Sequence, residues 1–482
     1  MDGRDAPTDV LRRMIGSWVT AHDVDVAPWY TLSASVAYPA PMRTPGEQQD
    51  VGRRQVVKWV AGAGIGIGLT NAACDVLGGA PKEAKPPARK PLWTFALLDE
   101  DGGGKGVKHV PVVHQDGVLY VRTKKDGLYA VDAATGRERW RAPLGGARFG
   151  APAVTSGAVF VATDGGAVHA LRTADGEPVW RQAPGSRLRT PSAGDVWTSG
   201  SVALVSFHPF TYDEDPHPPP SVLYALDTRK GDFLWQTEAS LLEVRDGLAY
   251  VNRPDGSLTA LDQRTGVVRW SAPLEKSGGR CTLDVFAAGL LFGRNGNVGI
   301  GSRLVAYDPR TGVVRWTAPA VHTSVPVAHG DAVYISGPGP SKRDQQRLQA
   351  FDAVSGKLRW TAPAFSTRLY ESPVIAADGD CAYLCWSVDS HEEDHTTLRA
   401  HDAATGRERW RSTHHVSSYA ADTAPGNHLF ICYLSDWYCH DIRTGKALWR
   451  VSAGETTSGP PPLAADGMLY FANDEGVRAL HL

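Results

Sequence analysis

The chain has 482 residues, 42% of them apolar and 21% charged, with 51 Gly, 33 Pro and 15 Trp. That composition fits a folded, turn-rich protein and excludes a collagen-like or intrinsically disordered one. Fifty Lys and Arg against 52 Asp and Glu leave a net charge of −2, so no basic field exists for a phosphate backbone and nucleic acid is excluded as a partner.

In chain order, residues 1–51 read as a poorly structured N-terminal segment. The stretch GRRQVVKWVAGAGIGIGLTNAA from Gly52 to Ala73 resembles a twin-arginine export signal, with Arg53-Arg54 followed by Gln, two Val and Lys58. Its apolar run, Trp59 to Leu69, has the length of a signal core and is short for a membrane span. Residues 52–74 are therefore assigned to a signal or anchor. A start at Met42 would give the leader ordinary proportions and make residues 1–41 a start-site artefact. Cys74 stands where a lipoprotein cysteine would, but NAAC lacks the Leu usual three positions earlier; lipidation, simple cleavage and an uncleaved anchor all stay open. Residues 75–90 form a Pro- and Lys-rich linker that would hold the C-terminal region off a membrane surface. The expected location is the cell envelope or the exterior, with membrane association through the N-terminal segment.

From residue 91 the chain repeats itself. AVDAATGRERW, Ala130 to Trp140, returns as AHDAATGRERW, Ala400 to Trp410. Its frame, A-x-D-x-x-T-G-x-x-x-W, recurs eight times with constant spacing. The Trp positions are Trp140, Trp180, Trp235, Trp270, Trp316, Trp360, Trp410 and Trp449. Four residues before each stands a glycine: Gly136, Gly176, Gly231, Gly266, Gly312, Gly356, Gly406 and Gly445. Each copy comes after a hairpin such as VLYVR-TKKDG-LYAVD, two alternating runs closed by Asp-Gly. The Thr-Gly step is a second tight turn, and the strand after it carries the Trp. Four short strands per period of about 40 residues are the signature of a propeller blade. A blade cannot bury both faces alone, so neighbouring blades must stack, and the fixed Trp on the outermost strand is expected to supply one large apolar plate per blade, with an indole N–H that needs a partner.

The ends supply halves of one more unit. KPLWTFAL puts Trp93 on a strand with no preceding turn, and GMLYFANDEGVRALHL supplies a hairpin that stops before any Trp. The fold class read from the sequence is thus all-β, a propeller over residues 91–482 of eight continuous four-stranded units and one split closing unit.

The eleven-residue frame resembles the tryptophan-docking motif of quinoprotein-type (pyrroloquinoline quinone, PQQ) propellers, a superfamily that includes PQQ-dependent alcohol dehydrogenases and non-catalytic BamB-like members. The resemblance implies eight blades, one fewer than the literal count. The dehydrogenases also carry an adjacent-cysteine disulfide against the quinone, a Ca²⁺ site and an Asp base. Here Cys74, Cys281, Cys381, Cys385, Cys432 and Cys439 include no adjacent pair, and no local motif carries the base or the Ca²⁺ ligands over. The expected function is an exported, non-catalytic, monomeric platform that binds an envelope protein, or senses a small ligand in the propeller funnel. It has no catalytic residues, no metal and no cofactor. The alternatives are a PQQ/Ca²⁺-dependent dehydrogenase-like enzyme and the extracytoplasmic sensor portion of a Ser/Thr kinase-type receptor, since bacterial kinases are sometimes fused to similar propellers. On the last reading residues 1–51 are a remnant of the kinase side.

Three other stretches invite sites. HEEDH, His391 to His395, matches H-E-x-x-H but lies in hairpin context without an apolar helical stripe, so a polar loop is expected. HPFTYDEDPHPPP, His208 to Pro220, is expected to be an exposed, stiff loop for partner contact or plain solvation, with metal binding by Asp213, Glu214 and Asp215 the lesser alternative. With a turn at Ser435-Asp436, Cys432 and Cys439 would face each other across a hairpin, which makes a disulfide and two free thiols equal expectations.

Overall fold

The computed structural model describes residues 86–482 apart from 98–111, 124–126, 145–149, 189–190, 210–219, 273–279, 298–300, 323, 339–344, 367–373, 391–392, 415–417, 425–426, 434–435, 453–461 and 474–475. The export-like segment, Cys74 and the linker up to residue 85 lie outside the described residues. No described helix is long and apolar enough to cross a membrane.

Among the described residues the strands group into nine antiparallel sheets. Eight are built from consecutive strands over residues 112–142, 153–182, 191–238, 240–272, 280–322, 327–366, 374–414 and 418–452, here blades 1 to 8. Blade 9 is split. Leu463–Ala465, Met468–Asn473 and Gly476–His481 supply three strands, and the fourth is Trp93–Ala96, with Trp93 opposite Ala479 and Ala96 opposite Gly476. The ring therefore has the nine units counted in the sequence, one more than the family resemblance implies.

Local chemistry explains each blade. Middle strands such as Val118–Arg122 are buried on both sides, so they read as continuous apolar runs instead of alternating ones. The first hairpin of blade 1 turns at Asp116-Gly117, with φ of 49° and 70°, the two positive values that a two-residue turn between twisted strands requires. First strands of neighbouring blades lie against one another and mark the inner side; fourth strands, which carry the Trp, form the outer edge.

The core is distributed. Nine apolar clusters are found among the described residues, each shared by two adjacent blades. Phe160 and Val168 of blade 2 meet Val205 and Phe207 of blade 3. Phe430 and Trp437 of blade 8 meet Leu469 and Phe471 of blade 9, and Tyr470 and Val477 of blade 9 meet Leu119 and Val121 of blade 1. That last cluster closes the ring, which leaves no blade with an unburied flank.

Three sequence expectations are corrected. In blade 8 the register pairs Tyr433 with Asp436, Cys432 with Trp437 and Phe430 with Cys439. Asp436 is already paired, so the register is displaced by one residue from the one expected, and the two cysteines become diagonal neighbours on one face, beyond disulfide reach. Neither is in a disulfide, both are buried in the core shared with blade 9, and burial pushes the Cys439 thiol up to about 12. Three residues of HEEDH, Glu393 to His395, belong to a strand and not to a loop: Cys381–Ser390 pairs with Glu393–Asp402 up to Ser390 opposite Glu393, while residues 391–392 lie outside the described residues. Extended backbone at Glu393, Asp394 and His395 cannot present the helical face that a zinc site of this motif needs. Finally, the linker is not free to its end. Ala88 bridges Arg450 in parallel, the Arg89 N–H donates to the Arg450 carbonyl at 2.7 Å and the Arg450 N–H donates to the Pro87 carbonyl at 3.0 Å. Residues 87–89 thus make a single parallel β-bridge to the outer edge of blade 8.

Candidate functional site

The repeated frame assembles one device per blade junction. In blade 1 the Gly136 N–H donates to the Asp132 carbonyl and the Asp132 N–H to the Arg137 carbonyl, both at 2.8 Å. The Asp132 carboxylate accepts from the Thr135 N–H at 2.9 Å and the Thr135 hydroxyl at 2.7 Å. Its other oxygen takes Arg139, the residue before the Trp, at 2.7 Å. These bonds, Arg139 first, hold the Asp132 carboxyl down at about 2. Arg269, Arg315, Arg359 and Arg409 repeat the pairing with Asp262, Asp308, Asp352 and Asp402. Blade 2 inverts it: Arg172 occupies the Asp position and pairs with Asp175 at 2.9 Å. Pairs this exposed contribute little each; their effect is to fix the turn.

The turn receives the neighbour's Trp. Gly406 sits at φ 71°, and a Cβ there would come within 2.5 Å of the Trp360 ring. The other seven frame glycines carry a Trp in the same way, Gly136 under Trp93 and Gly176 under Trp140 among them. Only glycine combines that φ with so close an approach. The indole N–H then finds its acceptor in the same turn. Trp140 donates to the Thr173 carbonyl, Trp180 to Thr228, Trp235 to Gln263, Trp270 to Pro309, Trp316 to Ala353, Trp360 to Ala403 and Trp410 to Ile442, all at 2.8–3.0 Å. The sequence predicted the Trp and the Gly but not that they belong to different blades. It also missed His401 and His440, which fill the frame's second position. Both are buried, and their Nδ1–H donates to the Gly406 and Gly445 carbonyls at 3.1 Å. His401 also stacks on Trp360, and burial lowers its pKa.

The split blade departs from the rule. Ala479 to Leu482 occupy the first four frame positions, and the Leu482 N–H donates to the Gly467 carbonyl as the Ala133 N–H does to Gly117. Trp449 is faced by the Arg89 guanidinium, 5.0 Å from the ring centroid. Trp93 packs on Gly136, but its buried N–H has no acceptor among the described residues; the Ala133 carbonyl takes the Tyr470 hydroxyl at 3.2 Å instead. Beside Trp93 lies an open cleft of about 690 Å³, lined by Asp132, Arg139, Asp466 and Tyr470 among others. Its charges are mixed and mutually engaged, with His114 Nε2 3.1 Å from Asp466.

Inward-facing polar groups are also tied into the fold. Asp195, on a bulge of its strand, accepts the Ala151 N–H at 2.7 Å, and its enclosure pushes its pKa up to about 6. Asp284, also on a bulge, forms a two-pronged ion pair with Arg294, both contacts at 2.9 Å. Among the described residues no three His, Cys, Asp or Glu come together as a metal donor set. The insertion after His208 lies, for residues 210–219, outside the described residues; His208 itself bonds Ser221 at 2.6 Å.

Comparison with known proteins agrees with this architecture. The family model described as outer membrane protein assembly factor BamB matches residues 84–241, 219–323, 300–380 and 394–481. Curated relatives include BamB of Yersinia pestis, 28% identical over 32% of this chain and 40% of that protein. BamB of Nitrosomonas eutropha is 28% identical over 40% of this chain and 45% of that protein. The serine/threonine-protein kinase AfsK of Streptomyces coelicolor is 27% identical over 43% of this chain and 23% of the kinase. The chain thus spans less than half the length of the curated relatives it matches. Among solved structures, a quinohemoprotein alcohol dehydrogenase of Pseudomonas putida HK5 aligns with TM-score 0.50 at 15% identity, over 80% of this chain and 72% of that one, a likeness of fold alone. With the family model running through almost every blade, the chain belongs to the BamB family of PQQ-like β-propellers.

Proposed function

We propose that this propeller is a non-catalytic, monomeric protein-interaction scaffold of the cell envelope. The observation that carries the reading is the BamB family match along the ring, set beside a frame whose polar groups are used in joining blades. The residues present do not fit PQQ with Ca²⁺. No two of the six cysteines are adjacent, and the four described ones are buried in cores between blades. Asp195 and Asp284, on bulges of first strands, are held by a backbone N–H and by an arginine respectively. The twin-arginine-like segment and Cys74 supply export and tethering on this reading, and the similarity of two BamB relatives supports an envelope location. A second reading, the extracytoplasmic sensor portion of a kinase-type receptor, is favoured by the similarity to AfsK.

Calorimetric titration of PQQ into the purified, folded protein, with and without Ca²⁺, tests the scaffold reading. The expected result is no saturable heat under either condition. Saturable, Ca²⁺-dependent binding would overturn it in favour of an oxidoreductase.

A further inference from the structure

The outer edges of the blades differ in a way that the docking device does not require. Two residues before the Trp, blades 1 and 7 carry Glu138 and Glu408, whereas blades 3 to 6 carry Phe233, Val268, Val314 and Leu358. All four apolar side chains are about half exposed, from 47% to 55%. Exposed strand edges are ordinarily guarded by charge, because their free N–H and C=O groups recruit other strands. At that position charge is present in blades 1 and 7 and absent from blades 3 to 6; in blades 4 to 6 the nearest charges, Arg269, Arg315 and Arg359, stand one residue on and are engaged by Asp262, Asp308 and Asp352.

The molecule itself shows what such an edge accepts. On blade 8, residues 87–89 add in parallel to the strand that carries Trp449, bonding to both backbone groups of Arg450, the residue after the Trp. The equivalent residues of blades 3, 4 and 6, Gln236, Ser271 and Thr361, are exposed.

We propose that the outer edge of blades 3 to 6 is a strand-addition site for an extended, apolar segment of a partner protein, bound as residues 87–89 bind blade 8. Backbone bonds at the position after the Trp supply the pairing, and the exposed Phe, Val and Leu side chains supply the apolar contact that selects alternating apolar sequence. A convex rim suits a strand better than a second ring, since two convex edges touch at few points. The proposal deepens the scaffold reading by naming the partner's form; its failure would leave the ring's two faces as docking surfaces, and PQQ titration would still judge that reading separately.

The test is selection of a displayed library of random ten-residue peptides on the full chain, with counter-selection on the V268E/V314E double variant. Both side chains are solvent-facing, so the variant is expected to fold, which circular dichroism checks. The proposal expects enrichment of alternating apolar sequences whose synthetic forms bind the variant at least tenfold more weakly and lose binding when alternate amides are N-methylated. Any of four results would overturn it: no enrichment over the variant, binding indifferent to N-methylation, self-association of the protein that V268E/V314E abolishes, or edge-dependent binding to phosphatidylglycerol vesicles in place of peptide.

Discussion

Seven junctions of this ring, from blades 1 and 2 through blades 7 and 8, use one device; the two beside the split blade use substitutes. At the seven, a Trp lies on the next blade's Gly and its N–H reaches a carbonyl in the same turn. At the closing junction Trp93 keeps the plate on Gly136 but not the hydrogen bond, and the Ala133 carbonyl takes the Tyr470 hydroxyl. Elsewhere the carbonyl serves both: Tyr250 and Trp270 donate together to Pro309. At Trp449 the plate meets Arg89 from the linker. The difference teaches that the ring needs a flat apolar plate over each turn, and that the hydrogen bond adds to it without being indispensable.

The largest expected effect would break a regular junction outright. Trp270→Ala removes a buried plate and leaves a cavity, and should cost about 3–5 kcal/mol in chemical denaturation. Gly406→Ala is expected to cost about 2–3 kcal/mol, since it combines a left-handed φ with a Cβ driven into the Trp360 ring. The control is Gly117→Ala, with the same φ but nothing within 4 Å, which should cost only about 1 kcal/mol. Equal losses at the two glycines would refute the docking role. Replacement of Trp by Phe sharpens the comparison: at Trp270 it removes plate area and a hydrogen bond, at Trp93 plate area alone. Trp270→Phe should therefore cost about 1 kcal/mol more than Trp93→Phe. Smallest is Arg89→Ala, at about 0.5–1 kcal/mol for one exposed cation–π contact.

Much of the architecture was legible in the sequence because the frame is rigid. A turn that needs Gly at one φ and a plate at one height tolerates no insertion, so the Trp and Gly repeats fixed the blade count, and Trp93 with no turn before it indicated where the ring closes. What lay beyond reading was whatever depends on two blades at once. That the Trp sits on another blade's Gly is a property of stacking, invisible along one chain. The direct opposition expected of Cys432 and Cys439 failed on a one-residue register displacement, since register sets which side chains face each other and the sequence LSDW admits two turns. The bridge made by residues 87–89 was hidden because a Pro- and Lys-rich segment reads as linker, and nothing local shows that a blade edge receives it. The apolar arc was overlooked for a different reason: exposed Val and Phe next to a Trp look like core until the blade's two faces are known.

Closure of the ring by its own two ends is tested most directly by a designed cross-link. Thr94 and Arg478 are directly opposed in the split blade, so the double variant Thr94→Cys, Arg478→Cys should form an intramolecular disulfide on mild oxidation, located by peptide mass mapping in the monomeric fraction. It should also raise the denaturation midpoint relative to its reduced form, because the bond ties residues far apart in the chain. Absence of the bond in folded protein, or a bond that joins two chains, would contradict closure by residues 93–96.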